Sequence, residues 1–218
     1  MIIGARFNGP DGSGNGGYTA GLVAALLGAG TAEVTLRLPP PLEVELTTVV
    51  DGDTATAHDG ERLVAQARVV APVAGTVPPV DLATATAVAS GYPGFTDHPF
   101  PRCYVCGPER PDGLAIYPGP LPDGRVASPF IAPEAVSAPV VWAALDCPGG
   151  WSVLGQGRPY VLGRMTATVR ALPAAGEVCV VVGRCDAVEG RKAQVSSTLW
   201  SSTGAALGSA RATWIAVS

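Results

Sequence analysis

The stretch that most limits how this chain can fold is Asn15-Gly16-Gly17-Tyr18, with the apolar run from Thr19 to Leu27 behind it. The run predicts a helix. Asn15 can cap it, because its side-chain oxygen accepts from the free amides of a first helical turn. Leu22 with Leu26, and Val23 with Leu27, are four apart and share one face. Gly17, Gly21, Ala25 and Gly28 form a row of small residues on another face. Glycine costs a helix interior about 1 kcal/mol against alanine. A helix that carries it repeatedly is expected to let something come close to its backbone. The expectation is a helix buried inside a wrapping sheet, its glycine-lined first turn presenting bare amides to a ligand.

The residues after this helix read as an antiparallel meander. Glu33 to Leu38 alternates, Pro39-Pro40-Pro41 breaks it, and Leu42 to Val50 continues with period two as a half-buried strand. Asp51-Gly52 and Asp59-Gly60 are hairpin signals, and Glu61 to Ala71 closes the set. Pro72 to Pro101 is rich in Pro, Ala, Thr and Gly and reads as a linker over the surface, with a helical turn near Leu82 to Ser90. Gly113 to Tyr117 and Arg125 to Ile131 read as short strands.

The order then repeats. Ser137 can cap a second helix with Pro139 in its first turn, and Pro148-Gly149-Gly150 is expected to end or kink it. Tyr160 to Ala171, Glu177 to Val188, Lys192 to Trp200 and Ala205 to Val217 read as longer strands. Two local matches accompany the repeat: Leu36-Arg37-Leu38-Pro39 with Val169-Arg170-Ala171-Leu172-Pro173, and Leu63 to Arg68 with Ala206 to Arg211. The expected division is an N-terminal repeat over 1–75, a linker over 76–101 and a C-terminal repeat over 102–218.

Composition narrows the function. Net charge is −4 with no block of one sign, which argues against nucleic acid, since that partner needs a basic face. No apolar run reaches the roughly 20 residues of a membrane span. Tyr18 to Gly30 has the look of a signal-peptide core, but only Arg6 precedes it as positive charge, and Asp11 intervenes. A cytoplasmic protein is expected. Five cysteines, an odd number, make no disulfide framework in a chain of this size.

Helix then meander, twice, resembles a double hotdog: an α+β architecture of two antiparallel sheets, each wrapping a central helix. Asn15-Gly16-Gly17-Tyr18-Thr19-Ala20 resembles the helix opening of fused acyl-CoA thioesterases. Cys103-Tyr104-Val105-Cys106-Gly107-Pro108, with Gly113-Leu114 after it, resembles a segment of phenylacetate-pathway-type hotdog proteins. Trp142 to Gly150 resembles their helix motif with an acid about nine positions in. The resemblance implies a thioester hydrolase on an acyl-CoA or an acyl-carrier protein. Coenzyme A would enter only as part of the substrate, with no other cofactor, and a homo-oligomer is compatible with the resemblance.

The chemistry asks for two things at a thioester carbonyl. One is a donor for the developing oxyanion, which free amides at a helix N-terminus provide. Asn15, Gly16, Gly17 and Tyr18 are the candidates, with Ser137 at the second helix. The other is a carboxylate, and Asp146 is the candidate, facing the first helix across the junction between halves. Alternatively, Asp146 merely caps the Cys147-Pro148-Gly149-Gly150 turn. The acyl chain is expected to slide between the two helices. The family pattern also departs here, because Leu162 and Ala212 stand where a threonine and a glutamine would be. Ser137, Thr166, Gln194 and Ser196 are polar alternatives that nothing in the sequence positions. These departures keep a second reading open: a protein that binds an acyl group or another small ligand without catalysis.

No metal is expected. Cys103 and Cys106 are a lone Cys-x-x-Cys with no second pair, and His98 lies near them. Cys147, beside Asp146, is a candidate nucleophile to which no motif ties either histidine, and it reads instead as a small buried hydrophobe, while Cys179 and Cys185 lie on strand-like runs and read as core. Gly9 to Gly17 lacks the Gly-Lys-Ser/Thr ending of a phosphate loop. The four tryptophans read as core or interface.

Overall fold

The computed structural model describes residues 1–154 and 159–217. In chain order its main elements are α1 (Gly16–Ala25), β1 (Thr31–Leu36), β2 (Thr47–Asp51), β3 (Thr54–Asp59), β4 (Arg62–Val69), α2 (Leu82–Ala89), β5 (Gly119–Pro120), β6 (Val126–Ile131), α3 (Ala138–Trp151), β7 (Tyr160–Val169), β8 (Val178–Glu189), β9 (Lys192–Trp200) and β10 (Ala206–Ala216).

Both halves use one strand order. In the first it is β2-β3-β4-β1 and in the second β7-β10-β9-β8, so each meander's first strand pairs with its last. The two sets do not stay separate, as the sequence led one to expect. β1 pairs antiparallel with β7, Val34 opposite Met165, and fuses them into one ten-stranded sheet. The seam closes because Val34, Met165, Ala32 and Ala167 are all buried on its inner side. On its outer side Thr31 Oγ1 and Thr168 Oγ1 lie 3.0 Å apart. β6 and the two-residue β5 extend the far edge beyond β8.

One face of this sheet holds α1 and α3. Alanines 32, 65, 67, 167, 210 and 212 are buried, and small side chains there let strands and helices approach. Where the helices touch, side chains nearly vanish. A Cβ on Gly17 would stand 2.4 Å from Asp146 Cβ, and one on Gly21 would stand 2.5 Å from Pro139 Cα. The glycine row is therefore spent on helix–helix contact. Ala25 and Gly28, expected in the same row, are exposed.

Several local expectations need correction. Leu42 to Leu46 is not strand, and Glu43 sits at φ +58°, outside any extended conformation. Gly113 to Tyr117 fails likewise, with Ala115 at φ +50°. The Ser137 side chain makes no cap hydrogen bond, since one amide it would bond is replaced by Pro139. α3 continues through Pro148 and both glycines to Trp151. Packing overrides the breaker: a Cβ on Gly150 would meet Trp214 at 2.4 Å, and one on Gly183 would meet the Pro148 carbonyl oxygen at 2.2 Å.

The segment after β4 crosses the outer face of the second half. The Val73 amide donates to Thr168 Oγ1 at 2.8 Å and the Val77 amide to Thr198 Oγ1 at 2.9 Å. α2, capped by Asp81, then packs on β6 through Ala85.

Candidate functional site

The sequence places Asn15 ahead of α1, and the structure uses it as a cap: its Oδ1 accepts the Tyr18 amide at 2.9 Å. That bond turns the other end of the amide group inward. Asn15 Nδ2 lies 3.7 Å from Cys103 Sγ and 4.0 Å from Cys147 Sγ.

Asp146 comes from α3 to meet the same turn. Its Oδ2 accepts the Gly17 amide at 2.9 Å across the helix contact. Its Oδ1 is buried and has no partner among the described residues. Burial pushes the carboxyl up to about 8, against the pull of the Gly17 amide, and nearby Cys103 adds to the rise. The capping alternative does not describe these contacts, for the partner is another helix rather than the local turn.

A cavity of about 400 Å³ opens beside this contact, lined by Gly16, Asp146, Cys147, Trp151, Leu162 and Trp214 among others. Its walls are mostly apolar, with Leu36, Leu38, Pro39 and Pro40 from the first half closing one side. It lies at the N-terminal end of α1. The expected route between the helices is shut, because Gly17 and Gly21 there leave no room for even a methyl group.

The candidate donors divide. The Gly16 amide has no hydrogen-bond partner among the described residues, and Gly16 lines the cavity. The Gly17 amide, expected to face a ligand, is taken by Asp146. Tyr18 turns away from the cavity and stacks on Phe7, ring centroids 3.9 Å apart. Ser137 stands at the other end of α3, nine residues before Asp146 and so about 13 Å along a helix axis. Leu162 forms cavity wall and Ala212 is core. The polar alternatives are engaged elsewhere: Thr166 with Glu33, Gln194 with Thr213 and Ser196 with Asp186.

Sequence reasoning missed three contributors. Trp151 and Trp214 line the cavity, and each carries a buried indole Nε1–H without a partner among the described residues. Cys147 joins Cys103 and Cys106, the three sulfurs all within 4.8 Å of one another. Hydrogen bonds from the other two thiols hold Cys103 well below the usual thiol range. Donation to Cys103 pushes Cys147 up, and burial pushes Cys106 up. Only the Cys-x-x-Cys spacing hinted at this cluster. The third sulfur, 41 positions after Cys106, carried no local signal. His98 also lines the cavity, and its Nδ1 accepts the Phe100 amide while Nε2 donates to the Cys106 carbonyl. Burial lowers its pKa, against the opposing pull of Cys103 and the Cys106 carbonyl.

No protein-family model matches the chain, and no curated protein matches it. Solved structures do. One assigned to the thioesterases, from Novosphingobium aromaticivorans DSM 12444, aligns over 100% of this chain and 94% of its own, with TM-score 0.67 and 14% identity. A tesB protein of Mycobacterium avium subs paratuberculosis aligns over 96% and 89%, TM-score 0.59, at 13% identity. A conserved protein with a hot dog fold from Alicyclobacillus acidocaldarius aligns over 98% and 90%, TM-score 0.55, at 12% identity. At such identities the likeness establishes a fold, and that fold is the hotdog. Among the described residues no helix is long and apolar enough to cross a membrane.

Proposed function

We propose that this hotdog chain is a thioester hydrolase acting on an acyl group carried by coenzyme A or an acyl-carrier protein, with Asp146 as its base. The observation that carries the reading is the Asp146 carboxyl. One oxygen is pinned by the Gly17 amide, the other is buried without a partner among the described residues, and Asp146 itself lines an apolar cavity. A buried acid without a ligand-facing purpose is costly to keep. The likeness to whole-length structures assigned to the thioesterases supports the same reading.

The groups present define the chemistry. Asp146 takes a proton from a water as that water attacks the thioester carbon, and its raised pKa makes it a better base than an exposed carboxylate. The Gly16 amide, at the positive end of α1, donates to the carbonyl oxygen as charge builds there. Trp151 and Trp214 also line the cavity, and their indole Nε1–H groups are buried without a partner among the described residues. The carbon–sulfur bond then breaks, the leaving sulfur takes the proton held by Asp146, and the products are a free thiol and a carboxylic acid. Leu36, Leu38 and Leu162 supply the apolar wall for the acyl chain.

One observation favours a second reading, a protein that binds acyl groups without turning them over. No side chain at Leu162 or Ala212 can orient a water molecule. The test is hydrolysis across short, medium and aromatic acyl-CoAs by the wild type and by Asp146→Asn. Turnover that collapses in the variant supports the hydrolase. Retention of ligand with no turnover supports binding alone.

A further inference from the structure

We propose that the thiols of Cys103, Cys106 and Cys147 form a site for one zinc ion, its fourth coordination position facing the cavity. This inference does not depend on the hydrolase reading, because it rests on a different set of atoms.

The fold brings the sulfurs together by two routes. Cys103 and Cys106 lie on a tight turn, closed by the Gly107 amide donating to the Cys103 carbonyl at 2.9 Å. That turn admits no side chain at Gly107, where a Cβ would lie 2.5 Å from the Cys103 nitrogen and from the Pro101 oxygen. The spacing of two residues then sets both sulfurs on one side of the loop, as thiolate metal sites require. Cys147 comes from α3, in the turn that also carries Asp146. All three sulfurs are within 4.8 Å of one another, and all three residues are buried. Zinc–sulfur bonds of about 2.3 Å in a tetrahedron set sulfurs about 3.8 Å apart, so small side-chain adjustments are enough.

Two further features fit a cation rather than mere packing. Asn15 is oriented by its cap bond so that Nδ2 points at the Cys103 and Cys147 sulfurs. Such an outer-shell donor steadies thiolate ligands. The cavity lining holds no lysine or arginine among the described residues to balance thiolates, so a metal is the group that would let all three ionise together. On binding, each thiol gives up its proton and forms one sulfur–metal bond. The three residues all line the cavity, so a fourth ligand arrives from that side. Thiolate donors of this kind select zinc or another soft ion over magnesium or calcium.

The test is metal content and spectroscopy on the full chain, reduced and purified without chelator. About one zinc per chain is expected in the wild type and near none in Cys147→Ser, while Cys185→Ser, altered outside the cluster, keeps its metal. Cobalt added to the metal-free wild type should give sulfur-to-cobalt charge-transfer absorption, absent in Cys147→Ser. Should Cys147→Ser fail to fold, alkylation of the native wild type decides, with zinc protecting Cys103, Cys106 and Cys147 and leaving Cys185 reactive. Absence of bound zinc, of cobalt absorption and of thiol protection would overturn the site. So would a cobalt spectrum that survives in a folded Cys147→Ser.

Discussion

The two central helices occupy equivalent places in the two halves, yet they contribute different things. α1 offers backbone: a capped first turn with bare glycines. α3 offers side chains: Asp146, Cys147 and Trp151. Counting Gly16 and Ala138 as first, the contact is symmetric in outline. The sixth residue of α1, Gly21, meets the second of α3, Pro139, and the second of α1, Gly17, meets the sixth of α3, Ala143. Asp146 is the ninth of α3, and its counterpart in α1 is Ala24. The donor it uses is the second amide of α1, and the counterpart of that donor is Pro139, which has no amide hydrogen. The half that lacks the acid thus faces the half that lacks the donor. Only one of the two corresponding helix contacts therefore carries both an acid and an amide to meet it.

The largest effect is expected where this asymmetry rests on contact. Gly17→Ala drives a methyl group into Asp146 and the Trp142 carbonyl oxygen, 2.4 and 2.8 Å from the new Cβ. A loss of about 3 kcal/mol in denaturant unfolding is expected, at the upper end for overpacking a core. Gly28, exposed at φ +62° with nothing within 4 Å, has only conformation at stake, and Gly28→Ala should cost about 1 kcal/mol. Equal losses at both positions would mean the helices do not touch as described.

Next comes the acid itself. Asp146→Asn keeps the size and keeps an oxygen for the Gly17 amide, so stability should move by less than about 1 kcal/mol, while acyl-CoA turnover falls at least about a hundredfold. Building the missing acid should have a smaller effect. Ala24→Asp places a carboxyl opposite a proline and should cost about 2 kcal/mol without raising turnover. In a Pro139→Ala background the same change gains an amide that can donate to it, and the penalty should shrink by about 1 kcal/mol. An Ala24→Asp penalty indifferent to residue 139 would break the proposed reason for the one-sidedness.

How much of this could be read beforehand depends on where each interaction lies in the chain. The Asn15 cap, the turns at Gly52 and Gly60, and β7 to β10 are local, and period-two alternation with turn residues located them within a few residues. The extended readings at Glu43 and Ala115 failed because a left-handed residue interrupts each one without any glycine to announce it. Pro148 misled because its cost is offset by a groove formed from β8, β9 and β10, strands that come later in the chain. The glycine row correctly signalled close approach, yet what approaches is α3 rather than an acyl chain. Asp146 stood out by its acid in an apolar run. The cavity-lining indoles and the third sulfur did not, since each gains meaning only from neighbours distant in sequence.

The outer face extends the contrast between the halves. Over the second half, the segment after β4 is fixed to the sheet: Thr198 Oγ1 accepts the Val77 amide, and the Val77 carbonyl accepts Trp200 Nε1 at 3.1 Å. Over the first half, β3 carries Thr56 at the same place in its meander, with no side-chain hydrogen bond among the described residues. Valine is close in shape to threonine and favours strands equally well, so the two substitutions differ mainly in the amide they leave behind. Thr198→Val strands the buried Val77 N–H and should cost about 1 to 2 kcal/mol. Thr56→Val strands nothing and should stay within about 0.5 kcal/mol of the wild type. Hydrogen exchange at the Val77 amide supplies the local readout. Faster exchange in Thr198→Val, with Thr56→Val unchanged, ties the loss to that one bond, whereas equal exchange in both would mean that the segment is held by its apolar contacts under Val77 alone.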